Sequence, residues 1–191
     1  MRLREVTAMS EEMIVENCSP TLAGIKTANL FSCHYEEIGG LRREIRNFNR
    51  VFAARGLCMI PLRMEGGRAL VYLYRPGRLR ADLAEAAVRA LLERYGYPSG
   101  NPNQCVARLI GRLRECRDFP HEIGLFLGYP AEDVRGFIEN GAQGCKCAGF
   151  WKVYGDEEKA RETFAQYRRC MDEYMRCWEQ GQGIERLAVA D

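Results

Sequence analysis

The spacing of apolar positions changes period several times along this chain, and each change marks an element. Ile38, Leu41, Ile45, Phe48 and Phe52 recur at steps of three and four, the stripe of an amphipathic helix that Gly56 ends. The period then drops to two. Cys58, Ile60 and Leu62 alternate with Met59, Pro61 and Arg63. Beyond Glu65-Gly66-Gly67, Ala69, Val71 and Leu73 alternate with Leu70, Tyr72 and Tyr74. This predicts a β-hairpin over 57–75. Pro61 has no N–H to give a ladder, which places its strand at an edge.

The flanks read mostly as helices. Ser10 before Glu11 and Glu12 opens a helix that runs to about Asn17. Ser19-Pro20 predicts a second helix, with Leu22, Ile25 and Asn29 on one face, ending near Ser32. Leu79, Leu83, Ala86, Ala90 and Leu91 mark a helix that stops at Gly96. Asn101-Pro102 opens the next, with Val106, Leu109, Ile110, Leu113 and Cys116 buried. Between 119 and 130, Ile123, Leu125 and Leu127 fit a strand and Ile123, Phe126 and Leu127 fit a helix. Pro120, Gly128 and Pro130 favour two short helices, the second running from Pro130 to Glu139. Residues 149–154 read as a strand. Ala160, Phe164, Tyr167, Met171, Tyr174 and Trp178 stripe the longest helix, and a loose tail over 182–191 is expected. The fold expected is α+β, one domain over 1–191. A small antiparallel sheet, the hairpin plus the 149–154 strand, is covered by five or more helices.

Composition narrows the setting. Basic residues number 28 and acidic residues 26, and a net charge of +2 gives no general attraction to nucleic acid or anionic lipid. The paired short helices suggest a helix-turn-helix outline, but Glu132, Asp133, Arg135 and Glu139 make a poor DNA-reading surface, so no nucleic-acid partner is expected. No apolar run approaches the roughly 20 residues that span a bilayer, and none follows the N-terminal arginines as in a signal peptide. A cytoplasmic protein without a membrane partner is expected, its nine cysteines being free thiols or ligands.

Three constellations carry candidate chemistry. Cys18 would precede a helix capped by Ser19, where unpaired N–H groups favour the thiolate. With His121 as base and Glu122 or Asp133 as orienter it would make a Cys–His–acid site. The alternative is a small buried thiol at a helix junction. Cys145 and Cys147 flank Lys146 between Gly144 and Gly149. Two thiolates one residue apart can reach one zinc or iron ion, but a closed site needs about four ligands. The others would come from Cys18, Cys33 or His121; otherwise these are ordinary loop cysteines. Lys26, with Asn29 on the same helix, would bind a ligand as an anion partner or a tuned amine, or would snorkel at the rim of the core. Cys58, Cys105, Cys116, Cys170 and Cys177 read as packing residues.

The run from His121 to Pro130, then Glu132-Asp133-Val134, Gly136-Phe137-Ile138 and Trp151-Lys152-Val153-Tyr154, resembles a bacterial family of unknown function common in anaerobes. The stretch from Cys18 to Phe31, with Pro20-Thr21-Leu22-Ala23-Gly24 and Lys26, resembles the same family. The resemblance implies an iron- or redox-linked setting and assigns no chemistry. Two function classes stand. One is a non-enzymatic intracellular module that binds zinc, iron or a small ligand, or meets a redox protein, with Cys18, Cys145 and Cys147 as its thiols. The other is a cysteine-dependent hydrolase or transferase with Cys18 as nucleophile and His121 as base.

Overall fold

The computed structural model describes residues 8–115 and 119–190. Helix α1 (Glu11–Leu22) leads into strand β1 (Ala28–His34), helix α2 (Ile38–Phe52) and the hairpin β2 (Cys58–Glu65) and β3 (Arg68–Tyr74). Helices α3 (Pro76–Ala84), α4 (Ala86–Arg94), α5 (Pro102–Glu115), α6 (Ile123–Phe126) and α7 (Ala131–Asn140) follow. The two-residue strands β4 (Cys147–Ala148) and β5 (Lys152–Val153), the long α8 (Glu157–Glu179) and the short α9 (Ile184–Leu187) complete the chain.

The fold is α+β, a small antiparallel sheet set among helices. The sheet runs β1-β3-β2, so the Pro61 strand is an edge, and its register shifts between Pro61 and Arg63. Successive side chains of a strand point to opposite faces, and here each face meets its own core. Ala69, Val71 and Leu73, with Phe31, Cys33 and Met59, pack under α1, α2 and α9. Leu70, Tyr72 and Tyr74, with Ala28 and Leu62, pack under α3 to α7. The hairpin's alternation is therefore the partition between two helical layers. The α2 stripe of Leu41, Ile45, Phe48 and Phe52 is buried as its spacing predicts, while Ile38 stays exposed.

Four expectations are corrected. The helix expected over 20–32 does not form. Helix α1 continues through Ser19-Pro20 because Ile14, Val15, Cys18 and Leu22 remain on its buried side. The chain then turns at Gly24, with φ +73°, and becomes β1. The open edge of β3 needs a partner for its N–H and C=O groups, and residues 28–34 supply one from Ala28 opposite Tyr74 to His34 opposite Arg68. The sheet's third strand is thus β1. The expected 149–154 strand is only the second half of the β4–β5 ladder. The helix expected from Leu79 to Gly96 breaks at Glu85, whose ψ of 133° is extended. The break lets Leu79, Leu83, Val88, Leu91 and Leu92 all reach one core, leaving Ala86 and Ala90 outside. The C-terminal tail is docked. Ile184, Leu187 and Ala188 are buried, and Val189 N–H donates to Leu22 C=O at 3.0 Å. Cys116 lies outside the described residues.

Arg75 links these parts. It is fully buried immediately after β3, and its backbone N–H donates to Thr27 C=O at 2.9 Å. Its guanidinium donates to Thr21 C=O at 2.7 Å, Leu22 C=O at 2.8 Å, Val189 C=O at 2.7 Å and Arg55 C=O at 3.2 Å. The end of α1, the turn after α2 and the C-terminal segment therefore meet at one side chain. A charged donor strengthens each bond, and removing it would take that donor from four carbonyls at once, two of which, Thr21 and Leu22, keep a backbone N–H partner. Arg75→Met is expected to lower the unfolding free energy by about 3 to 5 kcal/mol, measured by urea denaturation. An unchanged midpoint would show that the three segments hold together without it.

Candidate functional site

The α6–α7 corner and the β4–β5 hairpin are pinned together by Asp133. This residue lies in the first turn of α7 and is 3% exposed. Its Oδ2 accepts from Trp151 Nε1 at 2.7 Å, and its Oδ1 accepts from the backbone N–H groups of Tyr154 and Gly155 at 2.7 and 2.8 Å. The close approach also needs Gly136, where a Cβ would run into the Tyr154 ring. Trp151 is thereby held against Tyr129, their ring centroids 4.8 Å apart.

This Tyr129–Trp151 pair is a wall with a cavity on each side. One is a groove of about 410 Å³, lined by Phe119, His121, Leu127, Val134, Phe137 and Lys152 besides the wall. The other is a chamber of about 310 Å³ between α3, α7 and α8. Tyr167, Val88 and Leu125 give it apolar surface, and Asp82, Glu85, Glu132 and Asp156 give it carboxylates. Both volumes fall in the range of small-ligand sites.

Lys26 stands beside two rings of the chamber wall, Tyr129 and Tyr167, and is not itself part of the chamber's lining. The turn at Gly24 directs it there, with the Ile25 and Lys26 N–H groups both donating to Pro20 C=O at 3.0 Å. It is 4% exposed. Its ammonium sits 5.3 Å from the Tyr129 ring centroid and 6.0 Å from that of Tyr167, within cation–π range, and both rings line the chamber. Among the described residues it has no hydrogen-bonding side chain or carboxylate partner. Burial pulls it down from its ordinary 10.5 to about 8, and the nearby Cys18 thiol opposes this in smaller measure. Burial also pushes the Tyr129 and Tyr167 phenols up to about 12, so both flanking rings are neutral at physiological pH. Next door, Thr27 Oγ1 donates to Asp82. Gly128, at φ +76°, passes so close that a Cβ would meet Thr27 Oγ1 at 2.7 Å.

The other candidate residues are dispersed. Cys18 is not at a helix start. It is fully enclosed within α1, and burial pushes its thiol well above the ordinary range, with the Lys26 ammonium offsetting only part of this. His121 is exposed on the groove, its ring edge-on to Phe137 at 4.8 Å. Glu122 points inward. It accepts from Tyr97 O–H at 3.0 Å and pairs with Arg112, so its carboxylate is committed to the core beneath α5. Cys18 and His121 belong to opposite sides of the sheet. Asn29 stands on β1, where its Oδ1 accepts from Thr21 Oγ1 at 2.7 Å. Cys145 and Cys147 are half-buried in the hairpin loop, Cys145 Sγ lying 3.7 Å from Ala142 C=O. Among the described residues no group of three His, Cys, Asp or Glu side chains is placed to hold a metal. The residues that sequence reasoning passed over are Tyr129, Trp151 and Tyr167. The first two lay inside the recognised motifs, and Tyr167 was hidden in the stripe of α8.

The chain is thus an α+β protein whose sheet divides two helical layers, with two small-ligand-sized cavities flanking an aromatic wall. It belongs to the family described as protein of unknown function (DUF3793), whose model matches residues 14–188. No curated protein and no solved structure matches it. No described helix is long and apolar enough to cross a membrane.

Two measurements follow from this geometry. In site-resolved alkylation at neutral pH, Cys145 and Cys147 are expected to react in the folded protein and Cys18 only on unfolding. Rapid native labelling of Cys18 would contradict its enclosure. The second concerns Lys26. Below pH 8 the folded and unfolded states both hold its proton, and the cost of burying the charge is fully present. Between about 8 and 10.5 the folded state releases the proton while the unfolded state keeps it, so stability rises with pH. Lys26→Met is therefore expected to be more stable than the natural protein at pH 7, by up to about 3 kcal/mol, and the difference should vanish above pH 10.5. Equal stability of the two at pH 7 would mean that the ammonium is not desolvated.

Proposed function

We propose that the protein is a non-enzymatic module that binds a small ligand in the chamber lined by Tyr129 and Tyr167, and that Lys26, beside both rings, responds to an anionic group of that ligand. One observation carries the reading: a lysine that is 4% exposed, has no side-chain hydrogen bond or counter-ion among the described residues, and stands against two rings of the chamber wall. Taking a charge out of water unpaired costs several kcal/mol, and two neutral rings repay only part of it. A methionine or leucine would fill the same space without that cost. A desolvated charge beside a cavity is the mark of a binding or reacting group.

The thiol-based form of this reading places zinc, iron or a redox protein at Cys145 and Cys147. It rests on two half-buried sulfurs in one loop, while a closed metal site needs about four ligands. The cysteine-enzyme alternative loses support because Cys18 is enclosed and protonated and Glu122 is engaged elsewhere. The chamber needs no such rearrangement.

The chain has only four lysines, Lys26, Lys146, Lys152 and Lys159, so labelled lysine side chains give a spectrum in which each can be followed by NMR. The test is a pH titration of the Lys26 ammonium, alone and with 4-methylpentanoate, benzoate or inorganic phosphate. Binding of an anion is expected to raise the Lys26 midpoint from about 8 towards 10. Lys146 and Lys152 should not respond. If none of these anions moves Lys26 when present in large excess, the proposal fails.

A further inference from the structure

We infer that the groove on the other side of the Tyr129–Trp151 wall is a second small-ligand site, and that it takes a flat aromatic carboxylate larger than a single ring. The inference does not depend on the chamber or on Lys26. The groove measures about 410 Å³ and is lined by four aromatic residues, Phe119, Tyr129, Phe137 and Trp151. Leu127 and Val134 add aliphatic surface to it. Ring faces and edges favour an aromatic ligand that can stack on them or meet them edge-on. The wall is held from behind. Asp133 accepts from Trp151 Nε1 at 2.7 Å, and the Trp151 and Phe164 ring centroids stand 4.5 Å apart, edge to face. Phe164 lies so close under the hairpin that a Cβ at Gly149, another lining residue, would run into its ring. A surface fixed in this way loses little to ordering when a ligand binds.

The polar groups of the lining give the ligand its sign. Asp133 is the one acid among them, and both its oxygens are taken by Trp151, Tyr154 and Gly155. His121 and Lys152 are the two nitrogen bases, and both stand against the same ring. The His121 ring centroid is 4.8 Å from that of Phe137, and the Lys152 ammonium is 5.8 Å from it. Among the described residues neither side chain has a hydrogen-bond or carboxylate partner. A carboxylate at the edge of Phe137 therefore meets an ammonium on a flexible stem and an imidazole N–H, neither of which it must take from another acid. A cationic ligand meets the same ammonium and no free acid, and a neutral one leaves the ammonium unused. The apolar lining sets the size. Affinity from the hydrophobic effect grows with the apolar area covered. Phosphate covers none, and benzoate or 4-methylpentanoate covers only part of a lining of four rings. Those small anions therefore leave Lys152 unmoved, while a fused two-ring carboxylate reaches both the wall and the rim.

The experiment is calorimetry with matched compounds, read beside the labelled-lysine NMR spectrum of the unmutated protein. Naphthalene-2-carboxylate is compared with naphthalene-2-carboxamide, which keeps the shape without the charge, with 2-naphthylmethylamine, which reverses the charge, and with benzoate, which keeps the charge on one ring. The naphthoate is expected to bind about ten-fold or more tightly than each of the three. It should shift the Lys152 side-chain resonance and leave Lys26 where it is. Lys152→Gln with His121→Gln should weaken the naphthoate several-fold and leave the carboxamide unchanged. If the carboxamide or the amine binds as tightly as the naphthoate, the basic rim has no part in recognition and the inference is overturned. If benzoate binds as tightly, the aromatic lining is not used and the inference fails. Should the naphthoate shift Lys26 and not Lys152, it has entered the chamber, which overturns the groove site and supports the chamber reading. No binding and no shift of Lys152 overturns the groove site and leaves the chamber reading to its own test. A dimer that forms on concentration, shifts Lys152 without any ligand and resists the naphthoate would assign the groove to a second copy of the chain, and the inference would fall.

Discussion

The guanidinium of Arg75 is the interaction on which the architecture turns. The residue that follows β3 carries it, α1 contributes its terminal carbonyls and the C-terminal segment Val189 C=O, and one planar group with several donors meets them all. A lysine could not replace it, because an ammonium holds three donors on one nitrogen, while here four carbonyls are met by three separate guanidinium nitrogens. The helix end of α1 and the C-terminal segment would each carry carbonyls that α-helical bonding does not satisfy. Gly24 passes 3.6 Å from the guanidinium, measured from where its Cβ would stand, so the same contact shapes the turn that delivers Lys26.

The molecule therefore buries two cations within a few residues of one turn and treats them oppositely. Arg75 is enclosed with its donors bonded to carbonyls, and its charge strengthens the fold. Lys26 is enclosed with aromatic faces in place of acceptors, and its charge weakens the fold. The first arrangement explains itself through the structure it stabilises. The second does not, and the two rings beside Lys26 also line a cavity. Asp133 belongs with Arg75: an acid that the linear sequence offers as a catalytic orienter spends both oxygens holding the aromatic wall in place.

The motifs that identify the family sit on this wall and its supports. Tyr129, Asp133, Gly136, Trp151 and Tyr154 fall within them, and their spacing along the chain reflects contacts between α7 and the β4–β5 hairpin. Sequence reading found those residues as a signature without seeing that they meet. It gave more weight to cysteines and histidines, whose reactivity depends on exposure and neighbours that a linear sequence does not display.

What the sequence determined by itself is what local chemistry decides. The stripe of α2, the hairpin with Pro61 at its edge, the Ser10 cap and the stripe of α8 are all set by side-chain period and terminal hydrogen bonds within a few residues. Only the tertiary structure decided whether residues 28–34 are helix or strand, because the deciding partner is an unpaired edge of β3 some forty residues away. The same holds for Ser19-Pro20, where burial of Cys18 and Leu22 overrides a local stop signal, and for the tail, which the distant Arg75 and Leu22 tie down. Lys26 is the sharpest case. Its neighbours in sequence suggest a lysine at a rim, and its neighbours in space, from α6–α7 and α8, make it a desolvated charge. Exposure and electrostatic environment are properties of the packed whole, and no window of sequence contains them.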